Sequence, residues 1–220
     1  MKINLEKVTK IYSREKRKFT VLNDLNLSLP DRKLTLISGE SGSGKSTLLN
    51  MISGLSRPTS GKIFFDRTEI TGLNENELSD FRKSNLGIVT QNCELVPFLT
   101  LSENIQMVFE IRNSFTGKNT DYKDWADELT GELGLKPLMN ELPVNLSGGE
   151  IKRASVVRAL IARPEVVIMD EPTANLDSRN VDKILKLLRS YCDSGKTVIV
   201  SSHERETINY SDNNIRLELQ

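Results

Sequence analysis

Gly39-Glu40-Ser41-Gly42-Ser43-Gly44-Lys45-Ser46 satisfies G-x-x-x-x-G-K-[ST] at every fixed position. The oxygens of a triphosphate need several donors converging on a small volume. Glycines at 39, 42 and 44 let bare backbone N–H groups close around such a group without side-chain obstruction, and Lys45 adds a point charge. Ser46 can place a hydroxyl on a magnesium ion that bridges the outer phosphates. Lys45 to Leu49 opens a helix whose N-terminus carries about half a positive charge. The flanks agree with this reading. Leu34-Thr35-Leu36-Ile37 is a short, mostly apolar run that reads as a buried strand, and Leu48, Leu49 and Ile52 give the following segment an apolar helical face. Strand, glycine loop and helix are the context a phosphate cradle requires; a glycine-serine turn with a chance lysine would not supply it.

The outer bounds come from length and composition. A chain of 220 residues is one large domain or a core with a subdomain, long enough to bury a substantial hydrophobic core. Lys+Arg and Asp+Glu both number 30, so the formal net charge is zero and the basic excess of a nucleic-acid binder is missing. No nucleic-acid partner is expected. Cys93 and Cys192 lie far apart with no C-x-x-C, which argues against a zinc site or a disulfide framework and for a reduced, cytosolic setting. Met1 to Glu6 has no long apolar core, and no run approaches the ~18 apolar residues of a spanning helix, so the chain itself is expected to be soluble.

Taken in order, the chain begins with antiparallel texture: Ile3-Asn4-Leu5, Val21-Leu22, then Leu25 to Leu29 alternating apolar and polar before Pro30-Asp31 turns it. Arg14-Glu15-Lys16-Arg17-Lys18 between them reads as a charged loop, either a solvated surface or a contact with anionic lipid. Tyr12, at the end of an N-terminal strand, could stack on a base or simply pack. After the cradle, Ser60 to Phe65 and a turn at Asp66-Arg67-Thr68 suggest a small hairpin, Glu75 to Arg82 a polar helix, and Leu86 to Thr90 a strand ending at Gln91. From there to about Leu146 the periodicity is helical, around Ile105 to Ile111 and Trp125 to Leu133, broken by Gly117, Gly134 and Pro137. This is a helical insertion. Tyr122 and Trp125 within it are a ligand platform or packing residues.

The last third returns to α/β texture. Val166-Val167-Ile168-Met169 is a continuous apolar run ending in Asp170-Glu171, the pattern of a central parallel strand that delivers acids at its C-terminal edge. An aspartate there can hold magnesium, and the next residue can act as base or orienter for an attacking water. Val181, Ile184, Leu185 and Leu188 mark one face of a helix, and Thr197 to Val200 another buried strand. The single histidine, His203, stands just beyond that strand, on the edge where the Lys45 loop and Asp170 should lie. Leu146-Ser147-Gly148-Gly149-Glu150 precedes a helix, Ile151 to Arg163, stopped by Pro164. A serine and two glycines at a helix start make a second anion-binding terminus, which one nucleotide does not need from the same chain.

Gly39 to Thr47, Gln91, Leu146 to Glu150, Val166 to Glu171, Ala174 to Asp177 and His203 together resemble, in order and spacing, the ATP-binding subunits of ABC transporters. The resemblance covers essentially the whole chain. It implies an α/β fold: a P-loop NTPase core with a mostly parallel sheet, an N-terminal antiparallel β subdomain and a helical insertion. Residues 1–90 and 164–220 would form the ATP-binding core with its β subdomain, and residues 91–163 the helical part. By the same resemblance Gly39 to Thr47 is the Walker A loop, with Ser41, Ser43 and Thr47 among its nucleotide contacts, and Gln91 is the Q-loop glutamine. Leu146 to Glu150 is the signature motif, Asp170-Glu171 the Walker B pair, Asp177 the close of the D-loop, His203 the switch histidine and Tyr12 the adenine-stacking aromatic. ATP and Mg2+ are the implied ligands, with Ser46, Gln91 and Asp170 serving the metal. The implied partners are a membrane-spanning permease subunit and a second ATP-binding subunit. Paired head to tail, Ser147, Gly148 and Gly149 of one copy would complete the γ-phosphate site of the other.

Glu150 stands where the family most often has Gln, and Arg67 where a hairpin glycine is frequent. The stretch after the last strand, to Gln220, is too short for a C-terminal regulatory domain. Gln91 to Asn104, with Leu95-Val96-Pro97-Phe98-Leu99-Thr100, and Asn175 resemble the branch serving lipoprotein release, macrolide and peptide-antibiotic export, and cell-division complexes. Two other classes stand beside the transporter reading. An ABC-type ATPase without transport could be a DNA-repair head or a cell-division regulator; a repair head needs a long heptad coiled coil that Gln91 to Leu146 is too short to form. A small-molecule phosphotransferase would share the Lys45 loop but not Leu146 to Glu150.

Overall fold

The computed structural model describes residues 1–14, 17–116 and 122–218. Its strands are β1 (Ile3–Arg14), β2 (Arg17–Leu29), β3 (Leu34–Gly39), β4 (Ser60–Phe65), β5 (Thr68–Glu69), β6 (Leu86–Val89), β7 (Val166–Asp170), β8 (Thr197–Ser201) and β9 (Asn213–Leu217). The helices are α1 (Lys45–Ile52), α2 (Glu75–Asn85), α3 (Leu101–Thr116), α4 (Tyr122–Glu132), α5 (Gly148–Leu160), α6 (Ser178–Asp193) and α7 (Arg205–Ile208). Short 3-10 turns at Lys136–Leu138 and Pro143–Asn145 link α4 to α5. An antiparallel sheet of order β2-β1-β4-β5 packs against a parallel sheet of order β6-β7-β8-β3-β9.

β7 shows how the parallel sheet is built. Every residue in it is buried, and successive side chains point to opposite faces. Val167 and Met169 enter a core shared with α3 to α6, whereas Val166 and Ile168 enter a second core with α1 and the antiparallel sheet. Each buried aliphatic side chain contributes about 1.5–3 kcal/mol. The central strands therefore hold both cores together. α6 presents Val181, Ile184, Leu185 and Leu188 to the interior, the face its sequence predicts.

Three elements differ from expectation. The short strands expected near residues 3, 21 and 25 belong to a hairpin whose strands run 12 and 13 residues. Arg14, Arg17 and Lys18 of the expected charged loop are thus strand residues, while Glu15 and Lys16 lie outside the described residues, as does Gly117. A cross-strand aromatic pair, Tyr12 opposite Phe19, continues the ladder through this polar stretch. β9 has no counterpart among the expected strands: Asn213, Asn214 and Arg216 dilute its apolar alternation, yet it adds to β3 as a parallel edge strand. α5 starts at Gly148 rather than Ile151, because Ser147 caps it and forms a capping box with Glu150. Tyr122 and Trp125 take the packing alternative. Tyr122 lies 4.8 Å from the Phe109 ring, and Trp125 donates Nε1 to Leu160 O at 3.2 Å while stacking near Tyr191.

α5 meets the parallel sheet at backbone distance. A Cβ on Gly87 would stand 2.3 Å from the Ala159 carbonyl oxygen and 2.7 Å from Pro164 Cγ. Gly87→Ala is therefore expected to cost about 1–3 kcal/mol through overpacking, measured as a lower urea midpoint at unchanged m-value.

Candidate active site

All pairings within the five-stranded sheet are parallel, so the C-terminal ends of its strands share one edge. Along that edge the strand order sets Gln91 after β6, Asp170-Glu171 at β7, His203 after β8 and the Lys45 loop after β3.

The loop is shaped before any ligand enters. Gly39, Gly42 and Gly44 have φ of 149°, 84° and 94°, and a Cβ on Gly39 would stand 2.5 Å from Leu217 O and 2.6 Å from Ser43 Oγ. Lys45 is buried, its Nζ donating to Gly39 O at 2.8 Å and Glu40 O at 2.9 Å. Gly44 is the N-cap of α1 and supplies no side-chain cap, which leaves the first-turn N–H groups for an anion. Ser43 Oγ is buried and has no hydrogen-bond partner. Ser41, Gly42, Gly44, Lys45, Ser46 and Thr47 wall one side of an open pocket of about 370 Å³, with Tyr12, Phe19, Val21, Gln91 and Glu171 around the rest.

One hydroxyl organises both acids. Ser201 Oγ donates to Asp170 Oδ1 and accepts the Glu171 N–H at 2.9 Å. Glu171 is thereby held at φ 50°, a left-handed conformation unusual for a residue with a side chain. Lys152 of α5 braces the same loop, its Nζ donating to Glu171 O at 3.1 Å and Ala174 O at 2.8 Å. His203 Nδ1 lies 3.4 Å from Glu171 Oε1; the imidazole is 62% exposed and the carboxylate 21%. His203 and Gly39 face an adjoining recess rather than the pocket itself. Asp177 is the N-cap of α6, accepting from the Asn180 N–H at 3.0 Å, which holds its carboxyl below the usual carboxylate range.

Ser46, Gln91 and Asp170 are an all-oxygen donor set with a single carboxylate. Such a set suits magnesium carried in with phosphates better than a cage built from protein alone. Among the described residues no group of three or more His, Cys, Asp or Glu side chains converges to hold a metal. Ser147, Gly148 and Gly149 do not line the pocket. They stand at the start of α5, with no heavy atom within 4 Å of where a Gly148 Cβ would be.

A sequence profile described as ABC transporter matches residues 22–174. The chain belongs to the ABC transporter family. It is an ATP-binding cassette of the ATP-hydrolysing kind. It is 36% identical, over 90% of its length and 84% of the relative's, to the ABC transporter ATP-binding protein YtrE of Bacillus subtilis. It is 40% identical, over 90% and 85%, to the lipoprotein-releasing system ATP-binding protein LolD of Wigglesworthia glossinidia brevipalpis. The fold matches the ATP-binding cassette MJ0796 of Methanocaldococcus jannaschii, solved as a dimer in a post-hydrolysis state with ADP and Pi. The TM-score is 0.92, with 32% identity over 99% of this chain and 96% of that one.

Within this ABC cassette three candidate site residues escape motif reading. Phe19 sits beside Tyr12, ring centroids 6.1 Å apart and planes 30° from parallel; only the hairpin register could have found it. Ser201 reaches Asp170 because β7 and β8 pair Asp170 with Ser201, a register implicit in two apolar runs that each end in polar residues. Lys152 has no local signal, since its partners lie about twenty residues away in another loop. Ser147 is already engaged: its Oγ donates to Glu150 Oε2 at 2.7 Å and accepts from the Glu150 N–H at 3.4 Å. The Ser147 hydroxyl, together with the Ser147 N–H, which donates to Glu150 Oε2 at 2.7 Å, holds the Glu150 carboxyl below the usual carboxylate range. Because its folded-state pKa is depressed, the ionised form adds stability above the ordinary carboxylate pKa, and that increment is lost as pH falls through the lowered one. Ser147→Ala is expected to cost about 1 kcal/mol of helix capping and to raise the Glu150 pKa, read by carboxyl NMR titration.

Proposed function

We propose that two copies of this cassette close head to tail around ATP and thereby drive a membrane-spanning permease subunit. The observation that carries this reading is that Ser147 and Gly149 stand outside the pocket walled by the Lys45 loop of their own chain, in a fold that matches cassettes solved as dimers. Residues 91–163 would act as the helical unit bearing the signature motif, and residues 1–90 and 164–220 as the ATP-binding core.

In this scheme Tyr12 stacks on the adenine, and Lys45 with the loop amides holds the β- and γ-phosphates. Ser46, Gln91 and Asp170 would hold magnesium, which would supply charge neutralisation for the outer phosphates. Glu171 polarises a water for attack on the γ-phosphorus, the bond to the β-phosphate oxygen breaks, and ADP and phosphate leave. His203 bridges water, Glu171 and the γ-phosphate. Because no helix among the described residues is long and apolar enough to cross a membrane, attachment to the inner face of the cell membrane would come through the permease. The relative named for lipoprotein release supports an exporter of lipoprotein, peptide or antibiotic type.

The permease would dock beside Gln91. Phe98 is 78% exposed and Val144 83%, and the segments bearing them are neighbours, since the Leu101 N–H donates to Glu141 O at 2.9 Å. Buried Asn104 secures the Phe98 loop: it accepts from the Val96 N–H at 2.8 Å and donates to Val96 O, Leu99 O and Thr100 O. Phe98→Ala is expected to weaken assembly with the permease while leaving basal ATP hydrolysis by the free subunit intact. Equal losses of folding stability and assembly would instead mark Phe98 as a packing residue.

The chemistry and the pairing are tested together by Glu171→Gln, which keeps size and reach but removes the charge. Turnover should fall about 10²–10⁴-fold while ATP binding survives. The variant should sediment as a dimer with ATP and as a monomer with ADP, and adding Ser147→Arg should abolish the dimer, since a cation there opposes the helix dipole. A Glu171→Gln protein that binds ATP tightly yet stays monomeric at high concentration contradicts pairing between identical copies. Release of labelled phosphate to water alone separates this ATPase from a phosphotransferase.

A further inference from the structure

The pairing of β7 with β8 ends at Asp170 and Ser201. One more backbone bond, from the Glu171 N–H to Ser201 O at 3.2 Å, follows, and the Ser202 N–H turns to Ile37 O at 3.3 Å. Beyond these both segments leave the sheet as loops, and among the described residues no backbone bond joins His203 to the loop of Glu171. A second fastening lies further out. Thr173, fully buried, donates Oγ1 to Glu204 Oε2 at 2.6 Å. The Glu204 N–H in turn donates to Ser202 Oγ at 3.0 Å, and that hydroxyl also receives Thr207 Oγ1 at 3.1 Å. Residues 170–173 and 201–204 are thus joined at both ends, by Ser201 on one side and Glu204 on the other, with the His203–Glu171 contact between them.

We propose that Glu204 is a positioning residue for ATP hydrolysis: it latches the loop carrying His203 to the loop carrying Glu171, and so fixes the separation of imidazole and carboxylate. The inference rests on the roles given above to Glu171 and His203. The donor Thr173 is fully buried and its acceptor Glu204 half-buried, and a hydroxyl donating to a carboxylate is a short, charge-assisted bond. His203 is largely exposed, so its placement depends on the backbone on either side of it. Glu204 does not line the pocket of the Lys45 loop; it borders a groove with Leu176 and α6 and, on its other side, the recess faced by His203 and Gly39, and in this proposal it acts through His203. Misplacement of a catalytic group by about 1 Å can cost up to ~10²-fold in rate.

The test compares Glu204→Ala and Thr173→Val, which remove the bond, with Glu204→Gln and Thr173→Ser, which retain an acceptor and a donor. We expect the first two to lower kcat about 10-fold with KM for ATP within about twofold, and the second two to stay near the parent. The double variant Glu204→Ala/Thr173→Val should be no worse than either single change. His203 is the only histidine in the sequence, so its ring signals in a two-dimensional NMR spectrum of the ATP-free protein identify themselves. They should move in Glu204→Ala and Thr173→Val and hold their parental positions in Glu204→Gln and Thr173→Ser. Parental ring signals and kcat in Glu204→Ala, additive losses in the double variant, or a Glu204→Gln as slow as Glu204→Ala would each overturn the latch. Should the bond-removing variants fail to fold, Glu204→Asp, one methylene shorter, is expected to shift the ring signals and lower kcat, and parental behaviour there overturns the proposal. A parent that hydrolyses no ATP would refute the roles of Glu171 and His203, while the ATP-free spectra would still decide the latch.

Discussion

The Ser201 hydroxyl, placed where β7 and β8 leave the sheet, donates to Asp170 and receives the Glu171 N–H. Two adjacent acids at a strand end would otherwise follow the strand's own alternation, pointing to opposite sides. Holding the Glu171 N–H makes a left-handed backbone at that residue tenable, so that Asp170 stays buried while Glu171 turns toward the pocket. The strain of such a conformation is of order 1–3 kcal/mol and persists only where surroundings over-determine it. Lys152 adds a further constraint on the carbonyl side. The acids of the site are thus a product of the sheet register, and the register is a product of the apolar runs in β7 and β8.

Much of this was legible in the sequence because the site is built at strand ends. Gly39 to Ser46, Asp170-Glu171 and His203 each follow a buried apolar run, and runs of that kind can only become neighbours in a parallel sheet with their C-terminal ends aligned. What escaped reading depends on contacts across long sequence separations or on weak periodicity. β1 and β2 look short on paper because the ends nearest their turn carry charge, with Arg17 to Thr20 of β2 exposed on both faces; hydrogen bonding and the Tyr12–Phe19 pair extend them. β9 carries three polar residues in five and is a strand only because β3 offers it an edge. α5 starts three residues before Ile151, since glycines at 148 and 149 have the composition of a loop while the mutual capping of Ser147 and Glu150 makes them helix.

α5 joins the two ends of the proposed mechanism within a single rigid element. Its first turn exposes Ser147 and Gly148 to the outside, and one turn further along Lys152 reaches back to the loop of Glu171. A Cβ on Gly149 would stand 3.1 Å from Leu176, so the same helix also presses on the segment leading to Asp177. Tilting this helix cannot leave the acid loop where it was.

Asn104 carries a mechanical consequence. Polar side chains are seldom fully buried, and this one uses both its oxygen and its amide hydrogens to bind the backbone of residues 96 to 100. A loop stitched in this way to the first turn of α3 has little slack of its own. Force applied at Phe98 is consequently delivered to α3 as displacement of the whole helix rather than being absorbed as local bending, and the loop behaves as a stiff lever arm whose fulcrum is a single amide.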